Sequence, residues 1–374
     1  MKFELKYYSS LDGLRALAAL GVIIAHFFTV KNIPEFPVVA RFSALGGTGV
    51  SLFFVLSGFV ITRILLHSRN GQNYFMSFYV RRILRIFPLY IVSLLCYYYI
   101  PYLLEIVDSY PPFSQQIYFW TYLQNFARTF NWPSAGPTHF WSLSVEEHFY
   151  FLWPAIIYFA YQREINTLFY FSFSLLLFPL VLRYIMLSKG LEIDVFTFTR
   201  LDQLTLGGIL AILELKGYLN KKYFKQYLIV FASGVLLIIL TSVLNEFGKD
   251  LFKHNAFGIC YFGLIALVVV SSSRSVVTKV LCLPVMQYLG KISYGLYVWH
   301  SFASQLVNIY LRTDYVLINF VFLLLLTILI SAVSFKFLET PFLKLKKYFI
   351  YSVSKPSISE VSKQNLTSGV LSND

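Results

Sequence analysis

Charge is scarce in this chain, and cysteine scarcer still. Only 13% of its 374 residues are Asp, Glu, Lys or Arg, while 57% are hydrophobic and mean hydropathy is +0.64. A soluble domain of this length cannot cover itself with so little polar surface, so the chain reads as a polytopic membrane protein. The three cysteines, Cys96, Cys260 and Cys282, lie in or beside apolar runs without CxxC spacing. That excludes a disulfide framework and a cysteine zinc site. An HExxH helix and a GxSxG elbow are both missing, so neither a zincin-type metal centre nor a serine nucleophile of that type is expected. There is no short apolar core followed by a small-residue cleavage site, and the first hydrophobic run is read as retained. No convincing internal repeat is present, which weighs against a transporter built from duplicated halves.

Acidic residues are outnumbered by basic ones, 18 to 31, for a net charge of +13. In a soluble protein this would suggest nucleic acid; in a membrane protein, basic residues gather in cytoplasmic loops against anionic lipid, and no nucleic-acid partner is expected. Apolar runs of about 20 residues predict an all-α integral membrane protein of about ten transmembrane helices: 11–30, 47–66, 86–107, 140–160, 167–187, 197–215, 226–244, 255–272, 287–311 and 315–338. An N-in, C-in orientation leaves only Lys31, Arg41, Arg128, Arg183, Lys189, Arg200, Lys249, Lys253 and Arg312 outside, as the positive-inside rule favours. A membrane domain is expected over 1–345 and a basic, then Ser-rich, disordered cytoplasmic tail over 346–374. The long outward loop 108–139, rich in Pro and aromatics, is of a kind that covers a site.

The first span, SSLDGLRALAALGVIIAHFF, carries Asp12, Arg15 and His26 in an otherwise apolar run. A charge near the middle of a membrane helix costs roughly 2.5 kcal/mol or more, so it persists where it meets a cavity or a partner. Arg15 and His26 are eleven residues apart, about three turns, which puts a fixed cation and a titratable imidazole on one face about 16 Å apart.

Other spans carry further groups. The second, GGTGVSLFFVLSGF, offers Ser57 and several glycines as small surfaces for a ligand or for a neighbouring helix. The segment FYVRRILRIFPLY places Arg81, Arg82 and Arg85 on the cytoplasmic side, where guanidinium forks suit phosphate oxygens or lipid headgroups. The fourth span opens THFWSLSVEEHFYFLWP, with His139 and His148 near its start; Glu146 or Glu147 there, with His300 in GKISYGLYVWH, reaches a depth similar to that of His26. These groups are expected to converge in one outward-facing cavity, where an imidazole takes a proton from a hydroxyl and a carboxylate orients it. Arg200 and Asp202, in FTRLDQLTLGG, are placed to pair or to contact an acceptor. His254 reads as solvated.

Together, LDGLRALAALGVIIAH with its R-x10-H spacing, GVSLFFVLSGF, RRILRIFPLY, FWSLSVEEHFYFLWP, RLDQLTLGG, GKISYGLYVWH and the terminal ETP resemble the acyltransferase-3 family of membrane acyltransferases. The resemblance runs from about residue 8 to 342. It implies acyl-CoA, most simply acetyl-CoA, as cosubstrate, with no permanently bound cofactor. It also implies transfer to a carbohydrate hydroxyl, such as that of a cell-surface polysaccharide, on the outer side of a bacterial cytoplasmic membrane. Carried over, His26 would be the base with Glu146 assisting, and Arg15, Arg82 and Arg85 would hold the donor; from the residues alone, Ser57 is expected beside the donor, and Glu147, His300, Arg200 and Asp202 towards the acceptor. Some members carry an extracytoplasmic SGNH-type domain after the membrane region; none is read here, so handover to one would need a separate protein. The rival reading is a proton-coupled transporter or exporter of a glycan or lipid-linked precursor, in which the same His, Glu and Arg residues form a proton path.

Overall fold

Ten of the helices lie where the ten apolar runs were expected, in a computed structural model that describes residues 6–29, 36–103, 105–163 and 165–351. In chain order the main helices are α1 (Ser9–Phe27), α2 (Gly49–Ser68), α3 (Tyr74–Leu103), α4 (Trp141–Arg163), α5 (Ile165–Ser188), α6 (Leu201–Leu215), α7 (Phe224–Ser242), α8 (Glu246–Val270), α9 (Pro284–Lys291), α10 (Ser293–Leu306) and α11 (Val316–Ser334). No strand occurs among the described residues. Seven helices there are long and apolar enough to cross a bilayer. The exceptions among the ten runs are α6 and α10, which at 15 and 14 residues are too short to cross alone, and α4, which is long enough but carries Glu146 and Glu147 in its apolar run.

Buried side chains of α2, α3, α4 and α10 make one core, and those of α1, α2, α6 and α8 a second. The outward flanks of α5, α7 and α11 stay apolar and exposed, as lipid-facing surfaces do. The small residues of the second run serve packing: a Cβ on Gly58 would collide with the Leu204 carbonyl of α6, and one on Gly46 with the Gly21 carbonyl of α1. Backbones meet directly at these crossings, as small residues allow in membranes.

Two expectations are corrected. The third helix starts at Tyr74, not near 86, so Arg81, Arg82 and Arg85 belong to the helix itself; Pro88 sits inside it. Arginine is a good helix former and gives no stop signal. The segment expected to be disordered from residue 346 begins folded: Arg81 donates to the carbonyls of Lys346 at 2.9 Å and Phe349 at 3.2 Å, and its guanidinium faces the Tyr351 ring. Residues 352–374 lie outside the described residues. The 108–139 loop holds two short helices, Phe113–Trp120 and Gln124–Thr129, pinned to α3 by Tyr90 donating to the Phe119 carbonyl and Tyr98 to that of Ala135.

Candidate active site

A cavity of about 610 Å³ runs between α1, α2, α3, α4 and α10. One end is basic, lined by Arg15, Arg81, Arg82, Arg85, Lys291 and Lys346. At its mouth Tyr7 donates to Asp12, which also holds Arg15 at 3.1 Å. That hydrogen bond, aided by burial, raises the Tyr7 hydroxyl to about 12, so it stays a donor. Deeper in, Ser57 Oγ donates to Glu146 Oε1 at 2.6 Å, and Glu147 lines the same space with Oε1 lacking a hydrogen-bond partner among the described residues.

The helical period explains this lining. Ser142, Glu146 and Tyr150 recur at four-residue spacing on α4, and Phe78, Arg82 and Ile86 do so on α3, so each set shares one face. The Arg82 guanidinium lies over the Tyr150 ring, 5.0 Å from its centroid, which fixes it beside the carboxylates. At the far end Tyr297 donates to the His139 carbonyl at 2.6 Å, which uses its only proton; Ser142 therefore donates to Tyr297, at 2.5 Å. Ser142, Tyr150, Tyr297, Lys291 and Lys346 were not singled out from sequence. The four-residue spacing from Glu146 was the available signal for Ser142 and Tyr150.

The expected convergence divides into two groups. His26, at the other end of α1 from Arg15, is exposed, does not line the cavity, and has His300 as its partner, Nδ1 to Nε2 at 2.7 Å. No carboxylate takes that place, because the α4 face bearing Glu146 turns toward Ser57 of α2 and Arg82 of α3. Tyr297 borders both groups: it lines the cavity, and its ring centroid is 5.8 Å from that of His300.

Arg200 and Asp202 are corrected more strongly, since both are buried (4% and 0% exposed) and absent from the cavity lining. Residues two apart on a helix do not face each other, so each has its own partners. Arg183 donates to Asp202 at 2.9 Å; Arg200 donates to Ser51 and Gln203, meets His254 at 2.7 Å, and lies over Phe54 and Trp141. His254 is buried there, not solvated, and reaches Asp194 at 2.9 Å.

The site is a cavity inside an all-α membrane bundle, lined by a cluster of cationic side chains and by a hydroxyl–carboxylate pair. The chain belongs to the acyltransferase-3 family, whose model, described as an acyltransferase domain, matches residues 8–336. It is 29% identical over 359 residues to the O-acetyltransferase OatA of Staphylococcus aureus, in strains NCTC 8325 and COL alike. Those matches cover 91% of this chain and 58% of each relative, so the chain spans little more than half the length of these curated relatives. No solved structure matches.

Proposed function

We propose that this chain transfers an acetyl group from acetyl-CoA to a hydroxyl of a cell-surface carbohydrate, across a bacterial cytoplasmic membrane. The observation that carries the reading is the cavity, which joins a cluster of arginines to the Ser57–Glu146 pair inside the bundle. Its volume suits a cosubstrate of this size. With the basic end in the cytoplasm, as the positive-inside count favours, Arg82, Arg85 and Lys346 take the phosphates and Arg15 lies along the arm. The thioester then lies beside Ser57, Glu146 and Ser142.

The acceptor approaches from the His26 end. His26 takes the proton of the hydroxyl as its oxygen bonds to the acyl carbon; the C–S bond breaks and the thiolate recovers a proton. Because Tyr297 borders both groups, its ring with that of Phe53 forms the wall that must open for the two reactants to meet. The membrane domain, together with the stretch to Tyr351 that supplies Lys346 and packs against Arg81, is the unit proposed to do this. The names of the S. aureus relatives support O-acetylation as the reaction.

The test is reconstitution. Purified protein in liposomes with acetyl-CoA and a glycan oligosaccharide is expected to release free CoA and an O-acetylated sugar in equal amounts, seen by thiol titration and mass spectrometry. Movement of the sugar across the membrane with no thioester consumed would favour transport and overturn the proposal.

A further inference from the structure

The proton positions in the His26–His300 pair follow from its surroundings. His300 Nδ1 lies 2.6 Å from the Tyr297 carbonyl oxygen, which can only accept, so the proton of that bond is on His300 Nδ1. A neutral imidazole carries one N–H, which leaves His300 Nε2 bare. His26 Nδ1, 2.7 Å away, must then be the donor, and His26 Nε2 is the unprotonated nitrogen. A second proton on His300 would reverse this order. It would also place a charge on a residue 2% exposed that has no acidic hydrogen-bond partner among the described residues. The His300 ring is held against His139, centroids 4.7 Å apart, whereas His26 is exposed and its Nε2 has no hydrogen-bond partner among the described residues.

We propose that His300 is a positioning residue that holds His26 in the Nδ1–H form, so that Nε2 is the nitrogen that takes the acceptor proton. This rests on the reading of His26 as the base. The proton leaves the acceptor oxygen for Nε2 as the oxygen–acyl bond forms and the C–S bond breaks, then passes to the departing thiolate. Throughout, Nδ1–H stays bonded to His300, which does for this imidazole what a carboxylate does in a hydrolase triad. Glu146 is committed to Ser57 and is not needed beside His26.

Nitrogen-15 NMR of ring-labelled histidines in nanodiscs reads the tautomer directly, with the His26 signals assigned by their loss in His26→Gln. At a pH where His26 is neutral, the expected spectrum shows a pyrrole-type Nδ1 and a pyridine-type Nε2. In His300→Phe the proton is expected to move to Nε2, with turnover falling roughly 100-fold or more and the KM for acetyl-CoA changing less than about twofold. His300→Gln, whose amide oxygen can stand where Nε2 stood, is expected to keep both the tautomer and most of the turnover. An Nε2–H His26 in the unmodified protein overturns the inference, as does wild-type turnover in folded His300→Phe. Full turnover in folded His26→Gln would instead remove His26 as the base, leaving the tautomer result to stand on its own.

Discussion

At the scale of single residues, the proposed reaction gives different roles to the arginines and to the carboxylate that line the cavity. Arg82 is held over Tyr150 and faces the basic end, so its removal deletes a charge-assisted contact worth about 1.5–3 kcal/mol. Arg82→Ala is therefore expected to weaken acetyl-CoA binding about 10- to 100-fold in calorimetry, with turnover at saturating donor much less affected. Glu146 gives the opposite pattern. Glu146→Gln preserves an oxygen for the Ser57 hydroxyl but removes the charge, so turnover is expected to fall while donor affinity stays within about twofold. Equal losses of binding in both variants would mean that Glu146 is part of the donor grip. Several of these residues are legible as chemistry in the sequence alone: Arg15, His26 and Glu146 stand out because ionisable groups in apolar runs are costly. Their partners are not. Whether Glu146 meets His26 or Ser57 depends on which neighbour its helix face turns to, and spacing within one helix carries no information about that.

Helices α5, α6 and α8 are tied together by buried charge, and at this scale the account is about stability. Arg183 of α5 binds Asp202 of α6 and Asn255 of α8 with its guanidinium wholly buried. Breaking a buried pair by removing one partner costs about 3–5 kcal/mol, since the other charge is left alone. Arg183→Met is thus expected to lower the melting temperature in detergent and the membrane abundance, whereas Arg128→Ala, which breaks the exposed pair with Glu192, should leave both nearly unchanged. The α2–α6 crossing makes a matching prediction. Gly58→Val drives a side chain into the Leu204 carbonyl and is expected to reduce the monodisperse fraction on gel filtration, where Ser57→Ala does not. Sequence reading located these helices well because length and hydropathy are local properties. It misjudged Arg200, Asp202 and His254 because a charge satisfied within the bundle and a charge facing a substrate look alike in one dimension. The same limit placed the arginine cluster in a loop, since nothing local marks where a membrane helix projects beyond the lipid.

On the scale of the whole molecule, the arrangement is polar from end to end. The arginine cluster and Lys346 gather at one end of the bundle, where the chain after α11 folds back onto α3, and the His26–His300 pair lies toward the other. The helix α1 spans the two, with Arg15 in the cavity and, eleven residues on, His26 outside it. The central claim is that donor and acceptor reach the reaction from opposite faces of the membrane. Proteoliposomes of known orientation test it most directly, with acetyl-CoA supplied only at the face bearing the arginine cluster and an acceptor oligosaccharide confined to the other. The account predicts acetylated sugar on the acceptor side and free CoA on the donor side, and neither product from His26→Ala. Acetylation that occurs only when donor and acceptor share one compartment would contradict it.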